Sequence, residues 1–397
     1  MKNNVAVFFG GRSVEHEISV ISALQAIAAF DKEKYNVIPV YISKQGRWYT
    51  SPLLLDVKNY RDMKGLTQRC TEVMMRPEFG DYNLYKTTNG FFEKRHPVVA
   101  TLHAVLPVLH GTNGEDGIFE GVLETIGIPY AGCNTLSSAN GMDKITMKMI
   151  LRESGIPVVN YVWFTDRQWF AQKESIIEKV EKELGYPVIV KPANLGSSVG
   201  IGKAADRQQL IERINYAEKF SQRIIVEHMI EKLKEINCSV LGNADENIAS
   251  VCEEPVKTGD ILSYEDKYMG GSKSAKGSGM QSSERRVPAQ IPEEMSERIR
   301  NMSRDTFRVL SCHGVSRIDV MIDEKDNQVY VNEINTIPGS LSFYLWEASG
   351  IKFPQLIDRL MELAFERKRR ADMKTFSFDQ NIFAMGGGTK GAKGTKG

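Results

Sequence analysis

The segment SRIDVMID places Arg317 and Asp319 two residues apart, and VNEINTIPGS places Glu333 and Asn335 two apart. In an extended strand, side chains two apart share a face. Each segment therefore presents polar groups on one side, with Ile318, Val320 and Ile334 on the other. Two such strands side by side gather two carboxylates, one amide oxygen and one guanidinium. Carboxylate and carbonyl oxygens are hard ligands, suited to magnesium held against phosphates, and a guanidinium beside them suits developing negative charge. A solvated sheet face satisfies the same alternation. The turn NTIPG after the second segment, and the repeated layout, tilt the balance toward chemistry.

Two lysines form a second signal. Lys191 ends the apolar run VIV and is followed by PANLGSSVG, and Lys144 stands in MDK at a helix start. Glycine-rich turns let backbone N–H groups approach phosphate, and a lysine adds a point charge. The turn is not a Walker A loop: from Gly196 the spacing to Gly202–Lys203 is one too long, and Ala204 stands where a magnesium-binding hydroxyl belongs. A lone lysine at a strand end is ordinarily a solvated charge. GSSVG also matches the nucleophile elbow of serine hydrolases, with Ser198 in the middle. That rival needs a downstream histidine, and only His228 and His313 follow. Neither sits between turn signals, and a hydrolase leaves the acidic strand pair unexplained. In GGRSVEHEIS, Glu15 could receive a substrate ammonium, or could simply favour a helix N-terminus. In HGTNGEDG, Glu115 or Asp116 reads equally well as a helix-start acid.

The elements that must hold these groups follow from the pattern of apolar residues. VAVFFG is a continuous apolar run, as in a strand buried on both faces. A helical pattern from Ile18 to Phe30, the strand NVIPVYIS, the strand HAVLPVLHG and the helix IFEGVLETIG follow, which predicts an open α/β sheet with ligands at the carboxyl ends of its strands. A helix over DKITMKMILRESG leads to the strands YPVIVK and RIIVEHMI. INCSVLG, IASVCEEPV, SRIDVMID and QVYVNEIN come after these, interrupted by a helix over 293–311. Between Thr258 and Arg286 the chain is too polar to pack and reads as a lid. A closing helix begins at Pro354, and the end, GGGTKGAKGTKG, reads as a flexible tail.

The 397 residues carry 51 Lys and Arg against 50 Asp and Glu, so charge gives no reason to expect nucleic acid or a membrane surface as partner. No apolar run approaches the roughly 20 residues that span a bilayer. Five scattered cysteines without CxxC spacing fit free thiols in a reducing, cytoplasmic setting.

Taken in order, GGRSVEHEIS, HGTNGEDG with GIPYAG and MDK, KPANLGSSVG, YEDKY, RIDVM and NEINTIPG resemble the D-alanine–D-alanine ligase family, a branch of the ATP-grasp enzymes. The resemblance runs from about Val5 to about Leu363. It implies an α/β, three-domain ATP-grasp fold with an N-terminal open α/β sheet domain. The expected boundaries are 1–142, 143–228 and 229–370, with a lid loop over 258–286 and a tail over 371–397.

The resemblance also implies roles. Lys144 and Lys191 match lysines on the ATP phosphates. Glu227 matches the residue reading the adenine amino group, with Met229 and Ile230 at the adenine edge. Glu235 matches the carboxylate on the ribose, after a loop one residue longer than usual. Asp319, Glu333 and Asn335 match magnesium ligands. Glu15 matches the partner of the first substrate's ammonium, Ser197 and Tyr268 match groups that bond with it to close the lid, and Lys267 matches a lid lysine. Arg317 and the Gly339 N–H match oxyanion stabilisers. The implied reaction joins two D-alanines through an acyl phosphate, using ATP and two magnesium ions, or manganese, for peptidoglycan precursor synthesis. D-serine and D-lactate are the alternative second substrates, and the implied assembly is a homodimer. Two departures stand out. The stretch GGSKSAKGSGMQSSERR lengthens the lid, and Tyr344, before Leu345, occupies a position where familiar members carry serine near the second carboxylate.

Overall fold

The computed structural model describes residues 2–87, 96–196, 199–255 and 285–377. These form three sheets. In the first, Asn3–Gly10 lies between Tyr35–Ile42 and Ala104–Val108 and runs parallel to both. VAVFFG is buried throughout. Val5, Val7 and Phe9 enter one core, while Ala6 and Phe8 enter another on the opposite face. That is the two-sided burial the apolar run implied.

The sheet is not wholly parallel. Trp48–Thr50, Thr71–Met74, Asn83–Lys86 and Val98–Thr101 extend it from Tyr35–Ile42 as an antiparallel meander. These strands have only three or four residues, many half-exposed, so they carry no apolar run that periodicity could find.

The second sheet is antiparallel, ordered Gly202–Ala204, Val188–Pro192, Arg223–His228, Tyr161–Thr165. Helices Asp166–Glu183 and Arg207–Ala217 supply Trp169, Ile177, Leu210 and Ile214 to its core. The third sheet, also antiparallel, is ordered Arg285–Arg286, Asn247–Pro255, Leu233–Gly242, Gly314–Asp323, Gln328–Asn335. Helix Glu293–Val309 packs Ile299 and Phe307 against it.

The closing helix, Phe353–Asp372, has Pro354 in its first turn. It buries Leu356, Ile357, Leu360, Met361, Leu363 and Ala364 in the same core as Val5, Val7 and Phe9 of the first sheet. Arg367 fastens it further by donating to the carbonyls of Tyr130 and Gly132 at 2.6 and 2.7 Å. The helix thus runs two residues past the expected tail boundary. GGGTKGAKGTKG and the expected lid, apart from Arg285 and Arg286, lie outside the described residues. Among the described residues no helix is long and apolar enough to cross a membrane.

Candidate active site

The two polar strands are neighbours. Their register sets Arg317 against Asn335 and Asp319 against Glu333. Arg317 grips Asp319 with two parallel bonds, Nε to Oδ1 at 2.7 Å and Nη2 to Oδ2 at 2.8 Å. Asn335 donates its Nδ2 to Asp319 Oδ2 at 3.1 Å, so its carbonyl oxygen is directed elsewhere. Burial raises the Asp319 carboxyl above its usual range; Arg317 opposes that, and Glu333 and Glu235 add to it. Such a site favours an added cation, and its donors are hard oxygens. Among the described residues no three His, Cys, Asp or Glu side chains form a metal cage. Two carboxylates and an amide oxygen match a magnesium ion that takes its remaining ligands from phosphates.

The lysines meet this strand pair. Helix Lys144–Glu153 is capped by Asp143, which accepts from the Thr146 N–H. Lys144 is buried at the helix start. Its Nζ donates to the Leu195 carbonyl at 3.0 Å and lies 3.2 Å from Glu333 Oε2. Lys191, on Val188–Pro192, donates to Glu227 Oε2 at 2.7 Å and to Asn332 Oδ1 at 3.1 Å. A third lysine joins them. Lys148 is fully buried, 3.2 Å from Glu227 Oε1. Among the described residues neither of those two atoms has an aligned hydrogen-bond partner. Burial pushes the Glu227 carboxyl up, but Lys148 and Lys191 outweigh it and hold it at about 2. Burial lowers the Lys148 ammonium despite Glu227. Lys148 escaped the sequence reading, although four-residue spacing from Lys144 puts both on one helix face.

Other expected residues surround this cluster. Ile230 is buried against Val159 and Met321, and Met229 precedes it, half-buried. Glu235 stands opposite Met321 in the register, close enough to act electrostatically on Lys191 and Asp319. Ser197, Ser198, Lys267 and Tyr268 lie outside the described residues.

The loops of the first sheet gather a further group of expected residues. Glu15 sits against Gly111 and Gly196. A Cβ on Gly111 would stand 2.7 Å from Glu15 Oε2, and one on Gly196 3.3 Å. Asp116 is the helix-start acid of HGTNGEDG, accepting from the Ile118 N–H. Glu115 has a different task. Its carboxylate accepts from the N–H of Gly111 at 2.9 Å and of Ile337 at 3.0 Å. Burial, with Glu15 next to it, pushes its carboxyl up to about 8, against the two N–H groups that favour the ionised form. Ile337 belongs to NTIPG, so Glu115 ties the first sheet to the turn after strand Gln328–Asn335.

Beyond Gly339 the backbone is strained. Ser340, Leu341 and Ser342 have φ of 51°, 53° and 51°, three successive left-handed residues without a glycine. Left-handed backbone costs L-residues roughly 1–2 kcal/mol each, and such strain gathers where function demands a geometry. Tyr344, on the short helix that follows, donates to Glu253 Oε2 at 2.7 Å, and the Arg285 guanidinium stacks over its ring at 4.6 Å. The resemblance singled out Tyr344, whereas its partner Glu253 had no signal in the sequence.

Two family models match the chain, D-ala D-ala ligase N-terminus over residues 4–133 and D-ala D-ala ligase C-terminus over 150–362. The chain belongs to the D-alanine–D-alanine ligase family. It is 40% identical over 382 residues to the D-alanine–D-alanine ligase of Thermosipho melanesiensis, covering 96% of this chain and 98% of that relative. To the ligase of Caldicellulosiruptor bescii it is 41% identical over 374 residues, covering 93% and 97%.

Among solved structures, the VanG D-Ala:D-Ser ligase from Enterococcus faecalis superposes with a TM-score of 0.77 at 30% identity, covering 92% of this chain and all of that one. The D-alanine–D-alanine ligase from Coxiella burnetii gives 0.75 at 29%, covering 94% and 96%. The three sheets are the ATP-grasp fold of these enzymes, and ATP and a divalent metal are the family's requirements. The hydrolase reading of GSSVG falls with this assignment. His228 is an exposed strand end, and His313 is buried and lowered to about 3.

Proposed function

We propose that the residues gathered here make D-alanyl-D-alanine from ATP and two D-alanines through an acyl phosphate, for peptidoglycan precursors. One observation carries the assignment of residues: the Lys144–Glu333 pair joins a buried lysine at a helix start to the acidic strand pair of the third sheet. In this reading Lys144 and Lys191 hold the ATP phosphates. The unaligned Lys148 Nζ and Glu227 Oε1 are a donor and an acceptor side by side, the pair an adenine edge with an acceptor nitrogen and an amino group would complete. Met229 and Ile230 line that edge, and Glu235 takes the ribose. Asp319, Glu333 and the Asn335 carbonyl would hold two magnesium ions, or manganese in their place. Bound there, the metal neutralises charge on the transferring phosphoryl group.

Glu15 binds the first ammonium and orients its carboxylate toward the γ-phosphate. Closure by Ser197, Lys267 and Tyr268 keeps water from the acyl phosphate. The second amine attacks the acyl carbon, and Arg317 with the Gly339 N–H stabilises the oxyanion as phosphate leaves. The functional units we assign are 1–142, 143–228 and 229–370, with lid 258–286 and tail 371–397, the closing helix lending its apolar face to the first. The proposed assembly is a homodimer in the cytoplasm.

The test is phosphate release from ATP against a panel of D- and L-amino acids, with products identified by mass spectrometry. D-alanine should be required, and magnesium with it. D-alanine and D-lactate offered together between about pH 6 and 9 probe the second substrate. A neutral Tyr268 phenol adds no cation to the lid, so the dipeptide should prevail throughout. Dominance of the ester at the acidic end, or of a D-Ala–D-Ser product when D-serine is offered, would overturn this choice.

A further inference from the structure

Main-chain groups on both sides of Gly339, at Ile337 and Ser340, are held by the first sheet's elements, and two of the holding side chains, His110 and Ser22, have no assigned role. Upstream, Ile337 gives its N–H to Glu115 and its carbonyl to His110 Nδ1 at 2.8 Å. Downstream, the Ser340 N–H donates to Ser22 Oγ at 2.9 Å, from the buried face of helix His16–Ala29. Ser22 also meets His110 Nε2 at 2.8 Å.

These partners assign the protons. A carbonyl only accepts, so His110 Nδ1 carries hydrogen. Burial holds the ring near a pKa of about 4 and hence neutral, so Nε2 accepts from the Ser22 hydroxyl. Ser22 keeps its lone pairs for the Ser340 N–H. The relay is uncharged and complete, and it ends on the first of three left-handed residues. Among the described residues Ser342 Oγ, which is buried, has no hydrogen-bond partner. Released, the turn would relax toward right-handed backbone and rotate the Gly339 peptide with it.

We propose that Ser22, oriented by His110, is a positioning residue that clamps the left-handed turn and so aims the Gly339 N–H at the oxyanion of the second step. The proposal rests on the oxyanion role given to Gly339 above. It separates the two half-reactions. Acyl-phosphate formation uses the lysines and the acidic strands, and the clamp serves the attack that follows.

The experiment compares Ser22→Ala, Ser22→Thr, Ser340→Gly and the double variant Ser22→Ala/Ser340→Gly. Two rates are read: dipeptide formation, and D-alanine-dependent isotope exchange between bridging and non-bridging oxygens of γ-labelled ATP, which reports the first half-reaction alone. Ser22→Ala should lower dipeptide formation about tenfold, as expected for a buried donor left unpaired, with isotope exchange undiminished. Ser22→Thr keeps the hydroxyl and should restore most of the rate. Glycine adopts the left-handed region without strain, so Ser340→Gly should make the clamp less necessary. The double variant should then fall within about threefold of Ser340→Gly alone, a non-additivity expected of coupled neighbours.

Equal losses in both rates, or a double variant about tenfold below Ser340→Gly, would overturn the proposal. If Ser22→Ala does not fold, the comparison of the double variant with Ser340→Gly decides alone. Wild-type protein that exchanges isotope but forms no dipeptide would remove the ligase reading, and the clamp with it.

Discussion

The two parts of the proposed site are made in opposite ways. In the part assigned above to the nucleotide, three buried lysines face Glu227 and Glu333, and geometry is set by charge on side chains. In the part assigned to the amino acids, geometry is set by backbone. Glu115, His110 and Ser22 all bond to main-chain atoms of the turn that follows Asn335. The contrast follows from the ligands. A polyphosphate is a strong, diffuse anion that long flexible cations can follow. An oxyanion that exists only in a transition state needs one N–H at one place, which only a braced backbone supplies. Damage at the first end should therefore appear in ATP and metal dependence, and damage at the second in the coupling of the two half-reactions.

The largest expected effect tests the charged end. Glu333→Gln should lower turnover at least about a hundredfold, because a metal stabilises several kcal/mol of transition-state charge. Near-normal turnover at ordinary magnesium concentrations would remove Glu333 from the site. Next, Lys148→Met should raise the KM for ATP about tenfold, the worth of one hydrogen bond to a charged group, with the KM for D-alanine unmoved. Breaking a fully buried pair should also destabilise the fold by about 3 kcal/mol in denaturant titrations. An equal rise in both Michaelis constants would blur the proposed division of labour.

Tyr268→Phe should cost roughly the 0.5–1.5 kcal/mol of one net hydrogen bond, read as a modest loss of turnover. A loss of hundredfold would give the lid a larger part in the chemistry.

The smallest effect concerns acid. Burial depresses His110 to about 4 and His313 to about 3, while both return to about 6.5 when unfolded. Their contribution to stability is complete above pH 6.5 and is lost as pH falls toward the folded values. The slope is at most about 1.4 kcal/mol per pH unit for each histidine. His313 lies apart from the turn, so His313→Leu should flatten the acid side of melting-temperature curves while leaving the dipeptide yield per ATP unchanged. A curve as steep as wild type would show that His313 does not titrate on unfolding.

The charged end was the more legible in sequence. Strand alternation alone paired Arg317 with Asp319 and Glu333 with Asn335, and the observed register sets those pairs against one another. Lys191 and Lys144 announced themselves by their neighbours. Lys148 did not, because MKMIL reads as an ordinary amphipathic helix whose lysine belongs in water. The braced end was nearly invisible. Ser22 lies inside the helical pattern from Ile18 to Phe30 with nothing to mark it, and its partner Ser340 is 318 positions away. Glu115 looked like a cap because only tertiary structure brings Ile337 to it. Left-handed backbone at Ser340, Leu341 and Ser342 has no glycine to betray it. The meander between Trp48 and Thr101 was missed for a plainer reason, since its strands are short and half-wet.

The closing helix carries a consequence for biosynthesis. Val5, Val7 and Phe9 share their core with Leu356, Leu360 and Leu363. Val108, the end of the last strand of that first sheet, precedes Phe353 by about 245 positions, and a ribosome adds roughly 5–20 residues per second. The face carrying Val5, Val7 and Phe9 has helix His16–Ala29 early, but it waits on the order of ten to fifty seconds for the rest of its cover. During that interval the nascent chain is a natural client for a chaperone. A message truncated before Phe353 yields a polypeptide that holds most of the site residues while the sheet made first keeps only part of its shelter.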